Sequence, residues 1–336
     1  MAPDIPSGWT FCASSFNWAP EILAARRTAA EIVTGIARHT AGTIELEPGL
    51  VWRSFPAPED AEVDALRSSL AAEGGRISIV GASLDEFTSP TERRSLHERL
   101  AFLVPQLRAA QRVGASGVRL PIGQAGGELL RLLLPLLHEL DLVLYEEIQG
   151  QQNPANPAVA PALDEIAGLD DGHVRVLADI SMLMPALPVT YLDELRRGGV
   201  DPELLRRLEN DWRDPATLDA VTALLRSGGV PPRIHTLFMN LLIRFGRSDA
   251  ADLQGILPLV GAFHLKFWDL DDDGGRVSQP LRDLGGVLGR HGFTGTLTSE
   301  WGGHEWLKED PAEMTRKHLA LAGSALVEPA ATRVGG

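Results

Sequence analysis

Four short runs beyond residue 140 carry side chains of the kinds that bind metal ions. Tyr145-Glu146-Glu147-Ile148-Gln149-Gly150 holds a glutamate pair and Ala178-Asp179-Ile180-Ser181 an aspartate. Phe263-His264-Leu265-Lys266-Phe267 holds a histidine, and Thr298-Ser299-Glu300-Trp301-Gly302-Gly303 a further glutamate. Three carboxylates and one imidazole make an oxygen-rich site with one nitrogen. Such a set suits a hard or borderline divalent ion, Mn2+ by preference, with Mg2+, Co2+ and Zn2+ also open. Converging carboxylates repel one another unless a cation balances them, because a buried uncompensated charge is costly. The expected metal ligands are Glu147, Asp179, His264 and Glu300. Of the tandem Glu146-Glu147, strand alternation sends one side chain inward and the other toward the helices. Glu147 is preferred because it shares parity with Val143 and Tyr145 and leaves Leu142 and Leu144 to pack outward, with Glu146 as the alternative. Taken singly, each carboxylate reads equally well as a helix cap or a solvated loop residue, and His264 reads as a core histidine. Their recurrence on successive strands carries the metal reading.

Supporting residues follow from position. Lys266 shares the parity of His264 and could neutralise an oxyanion, or pair with Asp269 instead. His304, after Gly302-Gly303, is an acid/base candidate. Trp18, Phe267, Trp268 and Trp301 could floor a sugar or aryl pocket, although aromatic residues near strand ends are more often core, and Glu45, ending the second strand, could face a substrate. The run Asp269 to Asp273 lacks the full calcium-loop pattern and reads as a solvated turn closed by Gly274-Gly275. The expected catalytic set is Glu147, Glu300, His264, Lys266 and His304. A metal beside a carbonyl favours loss of a proton from the adjacent carbon, and a carboxylate or imidazole of shifted pKa can take it. Reprotonation at the neighbouring carbon isomerises, at the other face epimerises, and loss of a β-substituent makes a lyase.

The elements that must position these residues alternate in type. β-rich runs fall at 10–18, 43–47, 76–84, 117–121, 141–148, 173–180, 261–270 and 295–301, and stretches with apolar residues at helical spacing separate them. Eight such units predict an α/β fold, a (β/α)8 TIM barrel, whose strand C-termini converge on one mouth. Helices are expected at about 21–39, 59–73, 91–113, 127–140 and 158–169. Between strands six and seven the interval is much longer, and helical patterns at 191–197, 202–212, 215–226 and 232–245 predict a helical insertion. The expected organisation is one barrel domain over about 8–325, the insertion at about 185–260, and a loosely ordered tail over 326–336.

Composition narrows the classes. Of 336 residues, 44% are hydrophobic and 23% charged, as in globular proteins. Lys and Arg number 31 against 45 Asp and Glu, a formal charge of −14, with no basic tract to follow a phosphate backbone. No nucleic acid or membrane partner is expected. Cys12 is the only cysteine, the start has no signal-peptide pattern and no long apolar span occurs, so a cytoplasmic protein is expected. Phosphate-loop, serine-elbow and zincin motifs are absent.

In strand order over nearly the whole chain, Glu147-Ile148, Leu177-Ala178-Asp179-Ile180-Ser181, His264-Leu265-Lys266 and Ser299-Glu300-Trp301-Gly302 resemble the xylose isomerase-like barrels, the sugar phosphate isomerase/epimerase family. The resemblance implies a divalent metal on Glu147, Asp179, His264 and Glu300, and proton exchange with substrate carbons by the two glutamates. Many of those epimerases place a substrate-orienting histidine three residues after the aspartate, where this chain has Met182. A weaker resemblance, in Asp179-Ile180-Ser181, His264-Leu265-Lys266-Phe267 and Ser299-Glu300-Trp301-Gly302-Gly303, is to the larger subunit of bacterial C-glycoside deglycosidases. It implies cleavage of the sugar–aglycone carbon bond of 3-keto C-glycosides and a small β-rich partner subunit. The expected function is therefore a metal-dependent lyase on a sugar or glycoside. A sugar isomerase/epimerase and a non-catalytic sugar-binding subunit are the alternatives, and an oligomer is expected. The abasic-site endonucleases of this fold need more histidines and a basic groove.

Overall fold

Eight parallel strands close on themselves in a computed structural model that describes residues 5–328. They are β1 (Trp9–Ser14), β2 (Thr43–Leu46), β3 (Arg76–Gly81), β4 (Gly117–Pro121), β5 (Val143–Ile148), β6 (Val174–Asp179), β7 (Val260–Phe267) and β8 (Gly295–Trp301). Each pairs with its sequence neighbour, and β1 closes the ring by pairing with both β2 and β8, Ala13 lying opposite Ile44 and Trp9 opposite Gly295. The expected TIM barrel is the observed fold.

Alternation divides each strand between two layers. Leu144 and Ile148 of β5, with Leu142 just before it, join the large core between strands and helices. Ile79, Tyr145, Leu177 and Ala262 form a small separate cluster that fills the barrel interior. Glu147, Asp179 and His264 lie two residues beyond the last three of these, so they share their face and look along the interior toward the C-terminal mouth.

Local chemistry sets the helix boundaries and corrects several expectations. The helix expected over 21–39 divides into Ala19–Leu23 and Ala29–His39, because Thr28 and Glu31 form a capping box that starts a new helix after the left-handed Ala25. The helix expected from Thr91 begins at Leu96, where Ser95 and Glu98 form a second capping box. The preceding residues form a small hairpin, Phe87–Ser89 with Glu92–Arg93. β1 ends at Ser14 and β3 at Gly81, short of the expected Trp18 and Leu84.

Residues 180–259 leave the barrel between β6 and β7. They contain helices Val189–Gly198, Pro202–Asn210 and Pro215–Arg226, the last two started by Asp201 and Asp214 caps with proline in the first turn. The stretch expected as a helix over 232–245 breaks into short turns instead. These elements bury a core of their own, with Tyr191, Leu208, Phe238 and Phe245 packed against Trp268 from the segment after β7. The end of the segment folds back on its own start, just after β6, through Gly246 N–H to Ser181 C=O at 2.8 Å and Ser248 N–H to Met182 C=O at 2.9 Å. Gly150 is required at this seam. Its φ is +55°, and a Cβ there would lie 2.0 Å from the Ile243 carbonyl oxygen.

At the far end Leu326 is buried and Glu328 pairs with Arg282 at 2.6 Å, so packing continues past the point where the loose tail is expected to start. The rest of that tail, 329–336, lies outside the described residues. No helix among the described residues is long and apolar enough to cross a membrane.

Candidate metal centre

The strand ends bring Glu147, Asp179, His264 and Glu300 together, all buried, each with a ligand atom within 4.8 Å of the others. His264 Nδ1 is the hub. It lies 2.9 Å from Glu147 Oε1, 2.8 Å from Glu300 Oε2 and 3.9 Å from Asp179 Oδ2. His264 Nδ1, Glu300 Oε2 and Asp179 Oδ2 are buried without a hydrogen-bond partner. Unpaired buried polar atoms are costly. Donors about 3 Å apart are what an ion with bonds of about 2.0–2.2 Å gathers around itself. The residues fit a divalent cation.

Alternation resolves the glutamate pair. Glu146 turns outward, where Oε2 accepts from Gly123 N–H at 2.8 Å and burial pushes its carboxyl up to about 7. Glu147 turns inward, as its parity with Tyr145 requires.

A second ring of residues holds the first. Glu45 Oε1 accepts from His264 Nε2 at 2.8 Å, while Oε2 accepts from Thr298 Oγ1 at 3.0 Å. This arrangement keeps the proton on Nε2 and leaves the Nδ1 lone pair for a metal. Arg119 on β4 donates from Nε to Glu45 at 2.9 Å and from Nη1 to Glu147 Oε2 at 2.8 Å, and its Nη2 pairs with Glu47. Lys266 Nζ pairs with Glu300 Oε1 at 3.1 Å. Each of the two candidate-ligand glutamates therefore has one oxygen held by a cation and the other turned to the centre. The Lys266–Asp269 pairing considered from sequence is not the one formed, since Asp269 accepts from Thr190 N–H and Oγ1. Arg119 and Glu47 were missed by sequence reasoning; the signal available was an arginine inside the otherwise apolar β4 run.

Electrostatics agree with the geometry. Burial penalises charge at every one of these groups, and pairing then decides. Glu147 lies below the ordinary carboxylate range through Arg119 and His264, and Glu300 well below it through Lys266 and His264. Asp179, without a cation in direct contact, is pushed by burial up to about 6. Against its own burial, His264 is held protonated well above its usual range by Glu45, Glu300 and Glu147. Five carboxylates surround two fixed cations here, and a divalent ion at the hub would displace a proton to do the same balancing with two charges.

His304 stands at the mouth. Its ring meets Phe16 edge-on at 4.6 Å, and Nε2 is buried without a partner. Burial and nearby Lys266 lower its pKa, keeping the imidazole neutral. Trp18, Phe267, Trp268 and Trp301 are all buried in hydrophobic clusters, the core role that is the commoner one for aromatic residues near strand ends. The ring left half-buried beside the site is Phe16, with Lys266 Nζ 5.1 Å from its centroid. Met182 is fully buried and offers no polar group.

No protein-family model matches the chain. It is 27% identical over 322 residues, 93% of this chain and 91% of the relative, to the C-glycoside deglycosidase alpha subunit of Arthrobacter globiformis. It is 28% identical over 297 residues, 82% of this chain and 84% of the relative, to the 3'-dehydrocarminate deglycosidase alpha subunit of a Microbacterium species. Among solved structures, a D-psicose 3-epimerase matches with a TM-score of 0.59 at 13% identity, covering 95% of this chain and 99% of that one. That structural likeness speaks for the fold. The resemblances carried by the strand-end motifs are borne out, and the one read as weaker, to the deglycosidase alpha subunits, is the one that extends through the sequence.

Proposed function

We propose that this chain, an enzyme of the xylose isomerase-like barrel type, is the catalytic subunit of a divalent-metal-dependent lyase that cleaves the sugar–aglycone carbon bond of 3-keto C-glycosides. The observation that carries the reading is the set of inward donor atoms on Glu147, Asp179, His264 and Glu300, buried at the mouth of a barrel whose sequence likeness runs to deglycosidase alpha subunits. A divalent ion held there would supply Lewis-acid stabilisation for negative charge developing on a substrate oxygen.

The chain's own groups divide the remaining work. His304, neutral and unpartnered at Nε2, takes the proton from the sugar carbon next to the ketone. The electron pair so released closes a double bond to the anomeric carbon as the bond to the aglycone breaks, and the aglycone carbon takes up a proton. Lys266 places positive charge beside Glu300 and the Phe16 ring, where a developing oxyanion would be stabilised. Arg119 and Lys266 each tie up one oxygen of Glu147 and Glu300, which suits these two as fixed ligands more than as the proton carriers of an epimerase. The buried Met182, in place of a substrate-orienting histidine, points the same way. The relatives' designation as alpha subunits supports a second subunit for this chain as well.

The test is metal analysis of the purified protein, followed by incubation with a 3-keto C-glycoside in D2O, alone and with a co-expressed neighbouring small subunit. Release of free aglycone, lost in Glu300→Gln, is expected. Undiminished release in Glu300→Gln overturns the reading, and deuterated sugar epimers without aglycone release would assign the site to an epimerase instead.

A further inference from the structure

A second group of donors lies at the opposite end of the barrel. His138 is in the last turn of the helix Gly126–Leu140, and Asp171 and His173 are in the turn that leads into β6. His138 Nε2 is 2.8 Å from Asp171 Oδ2, and His173 Nδ1 is 3.2 Å from Asp171 Oδ1. The same Oδ1 accepts from the His173 backbone N–H at 2.9 Å, so the carboxylate is oriented before any ligand arrives. The two imidazoles thus converge on one carboxylate with centroids 4.0 Å apart, and ligand atoms from all three residues lie within 4.8 Å. His173 Nε2 in turn faces Asp141 Oδ1 at 3.8 Å, and the Asp141 side chain is fully exposed and free to swing in.

We propose that His138, Asp171 and His173 form a second divalent-cation site, distinct from the one at the mouth. Two imidazoles, one carboxylate and a water or Asp141 are a borderline donor set, the chemistry of Zn2+ or Ni2+, where the mouth site is rich in oxygen. The two aspartate charges would be balanced by one such ion. A tetrahedral site with bonds of about 2.0–2.1 Å separates its donors by roughly 3.3 Å. The present contacts need to open by only about half an ångström, which the half-exposed His138 at a helix end permits. Six residues of strand separate His173 from Asp179, roughly 20 Å at about 3.3 Å per residue. The ion would therefore take no part in the chemistry at the mouth; it would cross-link the helix Gly126–Leu140 to the start of β6.

The experiment is calorimetric titration of the metal-stripped full-length chain with ZnCl2 alone, with His138→Gln and Asp179→Asn in parallel. Two equivalents are expected for the parent chain and one for each variant. A parent that takes up a single equivalent, or a His138→Gln chain that still takes up two, overturns the site. Because Asp179→Asn alters a buried residue, histidine ring NMR supplies a reading that does not depend on the folding of that variant. Zinc should shift the His173 ring resonances in the parent and leave them in place in His138→Gln, whereas resonances unmoved in the parent overturn the proposal.

Discussion

Glu45 never reaches the hub, yet it decides which nitrogen of His264 does. Replacing it with Gln keeps an oxygen that can accept from Nε2 and removes only the charge; replacing it with Leu removes both. A divalent ion bound at Nδ1 lies across the imidazole from Glu45 Oε1, which is 2.8 Å beyond Nε2, so the charges are roughly 7 Å apart. At an effective dielectric of about 20 their attraction is about 5 kcal/mol, an upper bound that the Arg119 guanidinium, 2.9 Å from the same oxygen, reduces. Outer-shell substitutions at metal-ligating histidines weaken binding about 10–100-fold, or about 1.4–2.7 kcal/mol. Glu45→Gln is expected near the lower end of that range. Glu45→Leu should reach the upper end or exceed it, because Nε2–H loses its acceptor and the ring can exchange tautomers. The assay is competition for Mn2+ against a fluorescent chelator, with circular dichroism to establish folding. A folded Glu45→Leu protein that binds Mn2+ as tightly as the parent would refute the assignment of Nδ1 as ligand and Glu45 as its support.

Three further outcomes are expected. His304→Gln should lower kcat by about 100-fold or more at unchanged metal content; in the parent, kcat/KM should hold through neutral pH and fall only below the ordinary histidine range, because burial and Lys266 depress this pKa and the base must be unprotonated. His318 is buried against Phe267, 3.9 Å between centroids, and burial lowers its pKa from 6.5 to about 3. The unfolded chain therefore takes up this proton first, and stability present above pH 6.5 is lost as pH falls toward 3, by about 1.4 kcal/mol per unit. Urea titrations at pH 7 and pH 5 should show about 2 kcal/mol of extra acid loss in the parent relative to His318→Gln, and equal losses would count against it. Burial pushes the Cys12 thiol up to about 12, so iodoacetamide should label the chain only when it unfolds, and labelling of the native protein at the rate of an exposed thiol would contradict the packing.

The candidate ligands were legible in sequence because barrel strands put chemistry at their C-terminal ends, and parity chose Glu147 over Glu146. Their partners were not, because Arg119 meets Glu147 on the neighbouring strand and Glu45 and Glu47 at the end of the next strand but one, contacts separated by 28 to 74 positions in the chain. Aromatic residues near strand ends can be pocket walls or core, and here Trp301 donates to the Trp268 carbonyl oxygen at 2.8 Å and both are buried in the core. Helix starts at Ala29 and Leu96 were readable as capping boxes, Thr28 with Glu31 and Ser95 with Glu98, but apolar periodicity ran across both boundaries and hid them.

The four candidate ligands all belong to β5 through β8, whereas the groups that orient them, Glu45 and Arg119, come from β2 and β4. An ion held as proposed would depend on the closed ring rather than on the half that touches it alone. Any change that loosens the seam between β1 and β8 or between β4 and β5 would register first as weaker metal retention, well before the strands themselves come apart. Metal content would then be a gauge of whether the two halves have met.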